Sequence, residues 1–277
     1  MALPARIYLV TVAGLLIGAG VLHLLKRLGA AGRTLGEALC KAPWVDLVLM
    51  YFTLLPAVAG AVLRGWAGLG AGVAGQVTAL LLWIFAHELA HPAERKGPRI
   101  YRALDRIVGP WRNHLAVWAT SPAVPGFWIV RLCQVILYPP LVWLVDLPPC
   151  RAKDYVSISR QKFQGLVGYD LIWCLYCDWM TGVWSLGTEM LRNVESFWCP
   201  IRFADAGKCA RCAREFPDIT RGWIPADGTM ADVVAVVNEM QSTRPHAWFG
   251  HPVRLTIRGA EVPVGSRANR DAVPMSS

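Results

Sequence analysis

Long apolar runs dominate the first half of the chain. "IYLVTVAGLLIGAGVLHLL" (7–25), "VDLVLMYFTLLPAVAGAVL" (45–63) and "GWAGLGAGVAGQVTALLLWIFAHELA" (65–90) are each about as long as one bilayer-crossing helix. The third is rich in Gly and Ala, which let helices approach closely. "FWIVRLCQVILYPPLVWLVDLPP" (127–149) is also long enough to cross. It carries Arg131, Pro139-Pro140 and Asp146, and a double proline bends a helix. It therefore reads as a re-entrant hairpin or a kinked fourth span. Beyond residue 150 the pattern shortens. "DGTMADVVAVVNEM" (227–240) predicts a helix with Thr229 as N-cap, Asp232 three residues on, and a stripe of Met230, Val233, Val234 and Val237. "HPVRLTIRG" (251–259) alternates like a strand, and "AEVPV" follows as a second.

The expected fold class is a mainly α membrane protein with a small α+β cysteine-rich domain after its spans. The organisation is a three-helix membrane region (1–92), a basic interfacial segment (93–126), the hairpin or fourth span (127–149), the cysteine-rich domain (150–265) and a disordered tail (266–277). Composition agrees: 55% of residues are apolar and 17% charged. The first run follows Arg6 and precedes Lys26-Arg27, so it reads as an uncleaved anchor and not a signal peptide.

The net charge of +9 is distributed unevenly. Lys26, Arg27, Arg33 and Lys41 follow the first run. Arg95, Lys96, Arg99, Arg102, Arg106 and Arg112 follow the third, and only Arg64 lies between the second and third. The positive-inside rule then puts the amino terminus outside and both basic segments in the cytoplasm, in a bacterial inner-membrane type of protein. Arg151, Lys153, Arg160 and Lys162 keep the cysteine-rich domain on the same side. The expected partners are anionic lipid headgroups and other subunits of a membrane complex, with no nucleic acid, because the charge sits beside the spans.

There are eight cysteines. Cys40, Cys133 and Cys150 lie in or beside apolar segments, where thiols pack as small hydrophobes. The others form "CLYC" (Cys174, Cys177), "FWCP" (Cys199) and "CARC" (Cys209, Cys212). Two CxxC pairs can close a four-thiolate site for zinc or an iron–sulfur cluster, with Cys199 as a spare or alternative ligand. Packed thiols, or disulfides in an exported domain, are the plainer alternatives. His246 and His251 are further candidate ligands. There is no glycine-rich phosphate loop, no GxSxG and no internal repeat.

The third run ends in "AHELAHP" (86–92), which contains an HExxH box. On a helix this spacing puts two imidazoles on one face beside a carboxylate, as zinc peptidases require. With its flanking spans and the Ser159-Arg160 pair, the box resembles that of the membrane-embedded gluzincin metallopeptidases. The resemblance covers five residues and a rough topology. It implies His87 and His91 as zinc ligands and Glu88 as general base. That family takes its third ligand from an ExxxD helix after the Ser-Arg pair, where this chain has Phe163 and Gln164. Pro92 directly follows His91 and disfavours helical geometry there. The alternative is a helix end at the membrane surface.

The leading expectation is thus an integral-membrane protein with a cytoplasmic thiolate metal site, serving as a structural or electron-transfer subunit. A zinc endopeptidase using the HELAH box is the alternative. A lipid-modifying enzyme using Asp105, His114 and Asp146 is a further one.

Overall fold

A computed structural model describes residues 2–145, 147–216, 222–242, 256–257 and 260–261. Those residues are mostly helical. The chain divides into two compact units, residues 1–129 with 151–184, and residues 130–150 with 185–277. Among the described residues three segments are long and apolar enough to cross a membrane: Leu3–Leu25, Trp44–Ala90 and Pro110–Val145.

In the first unit, helix α1 (Leu3–Leu25) runs about 34 Å at 1.5 Å per residue, enough for a hydrocarbon core of about 30 Å. After a short 3-10 turn, α2 (Gly29–Leu39) leads to α3 (Trp44–Leu49), a π-helical turn at Met50–Leu54, and α4 (Leu55–Ala90). Arg64 and Gly65 leave helical geometry, and Gly65 takes φ +56°, which favours glycine. The chain reverses there, as the sequence predicts from Arg64 between two runs. Gly60 and Gly68 meet backbone to backbone, as do Gly72 and Pro56, and a Cβ on any of the three glycines would strike the facing carbonyl.

Helix α1 packs along α4 by the same small-residue logic. A Cβ on Gly75 would lie 2.8 Å from the Cβ of Thr11. Tyr51 donates to the Gly14 carbonyl at 2.6 Å, and Tyr8 to Thr78 Oγ1 at 3.1 Å. Gln76 donates to the carbonyls of Phe52 (2.9 Å) and Thr53 (2.6 Å), inside the π-turn. A π-turn disturbs the regular ladder, and in hydrocarbon a carbonyl without a donor is costly, so Gln76 supplies what water would supply elsewhere. The outer faces stay apolar and exposed, with Val10, Ile17, Val62 and Phe85 among them. Lipid, not water, suits such a surface.

Helices α5 (Pro92–Lys96), α6 (Ile100–Val108) and α7 (Pro110–Ala119) follow, then α8 (Val124–Ile136) and α9 (Tyr138–Val145). Pro139-Pro140 falls in the first turn of α9, where the missing donors have no intrahelical partner to lose. Residues 151–167 return to the first unit, where Val156 is fully buried and bonds to Ala42 at 2.9 Å. Asp178 fixes this return by accepting the Ser159 amide at 2.6 Å. Helix α10 (Gly168–Trp198) begins in the first unit and ends in the second.

In the second unit the Tyr138 hydroxyl donates to the Pro148 carbonyl (2.8 Å) and accepts from Asn193 Nδ2 (2.7 Å). Helix α11 (Cys212–Glu215) is short, and α12 (Met230–Ser242) packs Val233 and Val236 on Ile224 and Phe203. Asp232 accepts from the Thr229 amide at 2.6 Å, the Asp232 half of the expected capping arrangement, and also from the Thr229 hydroxyl at 2.9 Å. The buried stripe is not the expected one, since Met230 and Val234 are exposed. A small α+β domain is not supported either. Among the described residues the paired strands are Thr256–Ile257 and Ala260–Glu261, two residues each, and the region otherwise has one isolated bridge, Phe203 with Ile224.

Candidate functional site

The HELAH box sits where three elements of the first unit meet. Helix α4 stops at Ala90, and His91 (φ −125°, ψ 66°) is already outside it, because Pro92 starts α5. The two histidines therefore do not share one continuous helix. Trp83, His87 and His91 form a stack, with ring centroids 4.6 and 4.3 Å apart. His23, at the end of α1, meets the edge of His87 at 5.3 Å.

Hydrogen bonds orient both imidazoles. His87 Nδ1 accepts the Gly168 amide at 3.1 Å, an arrangement that in the neutral ring goes with the proton on Nε2. His91 Nδ1 lies 2.9 Å from the His87 carbonyl, which only accepts, so Nδ1 carries the proton there.

Glu88 is committed as well. Its Oε1 accepts from Arg99 Nη2 at 2.8 Å and from the Tyr169 amide at 3.3 Å. The Arg99 side chain is 1% exposed and continues to Asp170, with Nε 2.6 Å from Oδ2. It also donates to the Val167 carbonyl at 3.1 Å. Asp170 in turn accepts the amides of Ile100 (3.2 Å) and Tyr101 (3.1 Å), capping α6 from another helix. Gly168 takes φ +49°, and a Cβ there would collide with the Glu88 side chain. Glu88, Arg99 and Asp170 thus tie the end of α4, the start of α6 and the start of α10. Burial opposes the charge on Arg99, but the two carboxylates outweigh it and raise its pKa above the usual value.

Comparison with models of protein families, with curated proteins and with solved structures finds no match to this chain.

The geometry of the box does not fit a hydrolytic zinc. Such a zinc needs three protein ligands and a carboxylate that can take a proton from water. Glu88 instead faces a buried guanidinium. Ser159 and Arg160 are held by Asp178; Arg160–Lys162 form one 3-10 turn, and residues 163–167 lead without regular structure into α10. Phe163 and Gln164 line a shallow cavity of about 250 Å³ with Pro98, Ile100 and Asp170. Among the described residues no group of three or more His, Cys, Asp or Glu side chains is placed to hold a metal ion.

Cys174 and Cys177, half-buried and one turn apart on α10, belong to the first unit. Burial pushes the Cys174 thiol up, against the pull of Arg160. Cys199, Cys209 and Cys212 belong to the second unit, where Cys199 is exposed and Cys209 and Cys212 are bonded to each other. His246 and His251 lie outside the described residues.

Asp105 and His114 do come together: His114 Nε2 is 3.9 Å from Asp105, and its Nδ1 is 2.9 Å from the Tyr169 hydroxyl. Asn113 steadies Asp105 at 2.8 Å. Asp146 lies outside the described residues. Sequence reasoning counted Arg99 with the headgroup-facing cations, whereas it is buried. It also missed His23, Gly168 and Asp170. The available signal was the single acid Asp170 beside Gly168 at a helix start; long-range pairing leaves no local pattern.

Proposed function

We propose that this chain is an integral-membrane structural subunit of a membrane complex, with its amino terminus outside and residues beyond 150 in the cytoplasm. The HELAH box serves it as a clasp and not as a hydrolytic centre. What supports this reading above all is the buried Arg99 guanidinium bridging Glu88 and Asp170. A general base has to be available to water, and this carboxylate is spent on holding three helices together. A second reading retains electron transfer or metal holding at the thiols. Its support is the Cys209–Cys212 pair, whose sulfurs lie side by side and, once their bond is reduced to two thiols, would supply two of the four thiolates that a zinc or iron–sulfur site requires.

Metal analysis of the purified full chain beside His91→Ala and Cys209→Ser tests both. The clasp reading expects metal content that His91→Ala leaves unchanged. Loss of one equivalent of zinc with His91→Ala overturns it in favour of the peptidase. Loss of metal with Cys209→Ser establishes the thiolate site, and metal-free wild-type protein removes it.

A further inference from the structure

We infer that α6 lies in the plane of the membrane surface, its outward apolar stripe set among acyl chains and its flanking arginines on anionic lipid headgroups. This rests on the reading of the chain as membrane-embedded and adds a specific lipid-binding element to it.

The pattern is that of a strongly amphipathic helix. Ile100, Ala103, Leu104, Ile107 and Val108 recur at i, i+3, i+4, i+7 and i+8. In a water-soluble fold this stripe would face the core. Here it faces out: Ile107 is 76% exposed, and Ile100, Leu104 and Val108 are exposed too. The inward side is polar. The Tyr101 amide bonds to Asp170, the Arg99 guanidinium lies 5.0 Å from the Tyr101 ring centroid, and Asp105 is bonded to Asn113. A helix that turns its polar residues in and its apolar residues out is stable only where the surroundings are apolar.

Position and charge identify those surroundings as a lipid surface. Helix α6 lies between Ala90 and Pro110, the end of one span-length segment and the start of the next. The Glu88–Arg99–Asp170 clasp pins its first residue to the end of α4. Trp111 and Leu115 extend the exposed apolar surface onto α7, and tryptophan suits the headgroup level. Arg102, Arg106 and Arg112 are exposed around it, with Arg95 and Lys96 just before. Their long stems can lie along the acyl boundary while the cations reach lipid phosphates.

The test uses the full chain in nanodiscs of phosphatidylcholine, alone or with about 30 mol% phosphatidylglycerol. A fluorescent noncanonical amino acid replaces Ile107 or, as a control on α1, the exposed Ile17. Brominated lipid should quench the probe at 107 about threefold more than aqueous iodide does, as for a helix seated in the interface. That preference should grow with phosphatidylglycerol, and Arg102→Gln with Arg106→Gln should abolish the growth. Quenching at 107 by iodide and not by brominated lipid, with 17 still quenched by lipid, overturns this inference alone. Loss of lipid quenching at both positions overturns the membrane reading. Protection of 107 from both quenchers assigns the stripe to a protein partner and overturns the lipid assignment. A preference unchanged by phosphatidylglycerol, or a growth that survives the double substitution, overturns the anionic-headgroup part.

Discussion

Replacing Arg99 by methionine is the sharpest perturbation of the clasp. Methionine keeps much of the apolar stem and removes the cation. Three hydrogen bonds disappear, to Asp170 at 2.6 Å, Glu88 at 2.8 Å and Val167 at 3.1 Å. Two carboxylates then face one another without their shared counter-charge. Removing one partner of a buried ion pair costs about 3–5 kcal/mol. The Asp170 side chain is 5% exposed and bears the full effect, whereas Glu88, at 18%, is partly screened by water. Asp170 also keeps two backbone donors, so the lower end, about 3 kcal/mol, is the expectation. For a chain of this size that corresponds to a fall of about 6–10 °C in the melting temperature. Fluorescence-detected size-exclusion after heating, on protein in mild detergent, measures it. Glu88→Gln should cost less, because the amide oxygen still accepts from Arg99, and the double variant should cost less than the two singles added. An Arg99→Met protein melting within a degree or two of wild type would refute the clasp.

Two further outcomes follow from other parts of the fold. Gln76→Leu removes the donor to Phe52 and Thr53, so it should cost about 1–2 kcal/mol and lower the melting temperature by several degrees; no shift would mean that the π-turn does not depend on Gln76. Burial pushes the Cys150 thiol up to about 11, so at pH 8 only about one part in a thousand is thiolate. Maleimide labelling read by mass spectrometry should therefore modify Cys150 roughly a hundredfold more slowly than exposed Cys199, and equal rates would contradict the burial.

What the chain reveals to a reader of its sequence depends on the range of the interaction. The three runs, the reversal at Arg64 and the helix end before Pro92 are written in consecutive residues, and each appears in the fold. The Thr229–Asp232 cap is equally local. The HELAH box is local too, which is why it misleads: residue spacing specifies which side chains share a helix face, not what they face. Its meaning comes from Arg99, which lies beyond Pro92, and from Gly168 to Asp170, some eighty residues away. Those positions have no motif of their own. Gly168 matters because a Cβ would strike Glu88, and Asp170 because it caps a helix to which it does not belong. The same limit applies to the thiols, since CxxC spacing says that two sulfurs can meet and nothing about which second pair joins them. It applies in reverse to α6. Its periodicity is plain in the sequence, but only the fold shows that the apolar side faces outward, and that reversal makes it an element for lipid and not for a protein core.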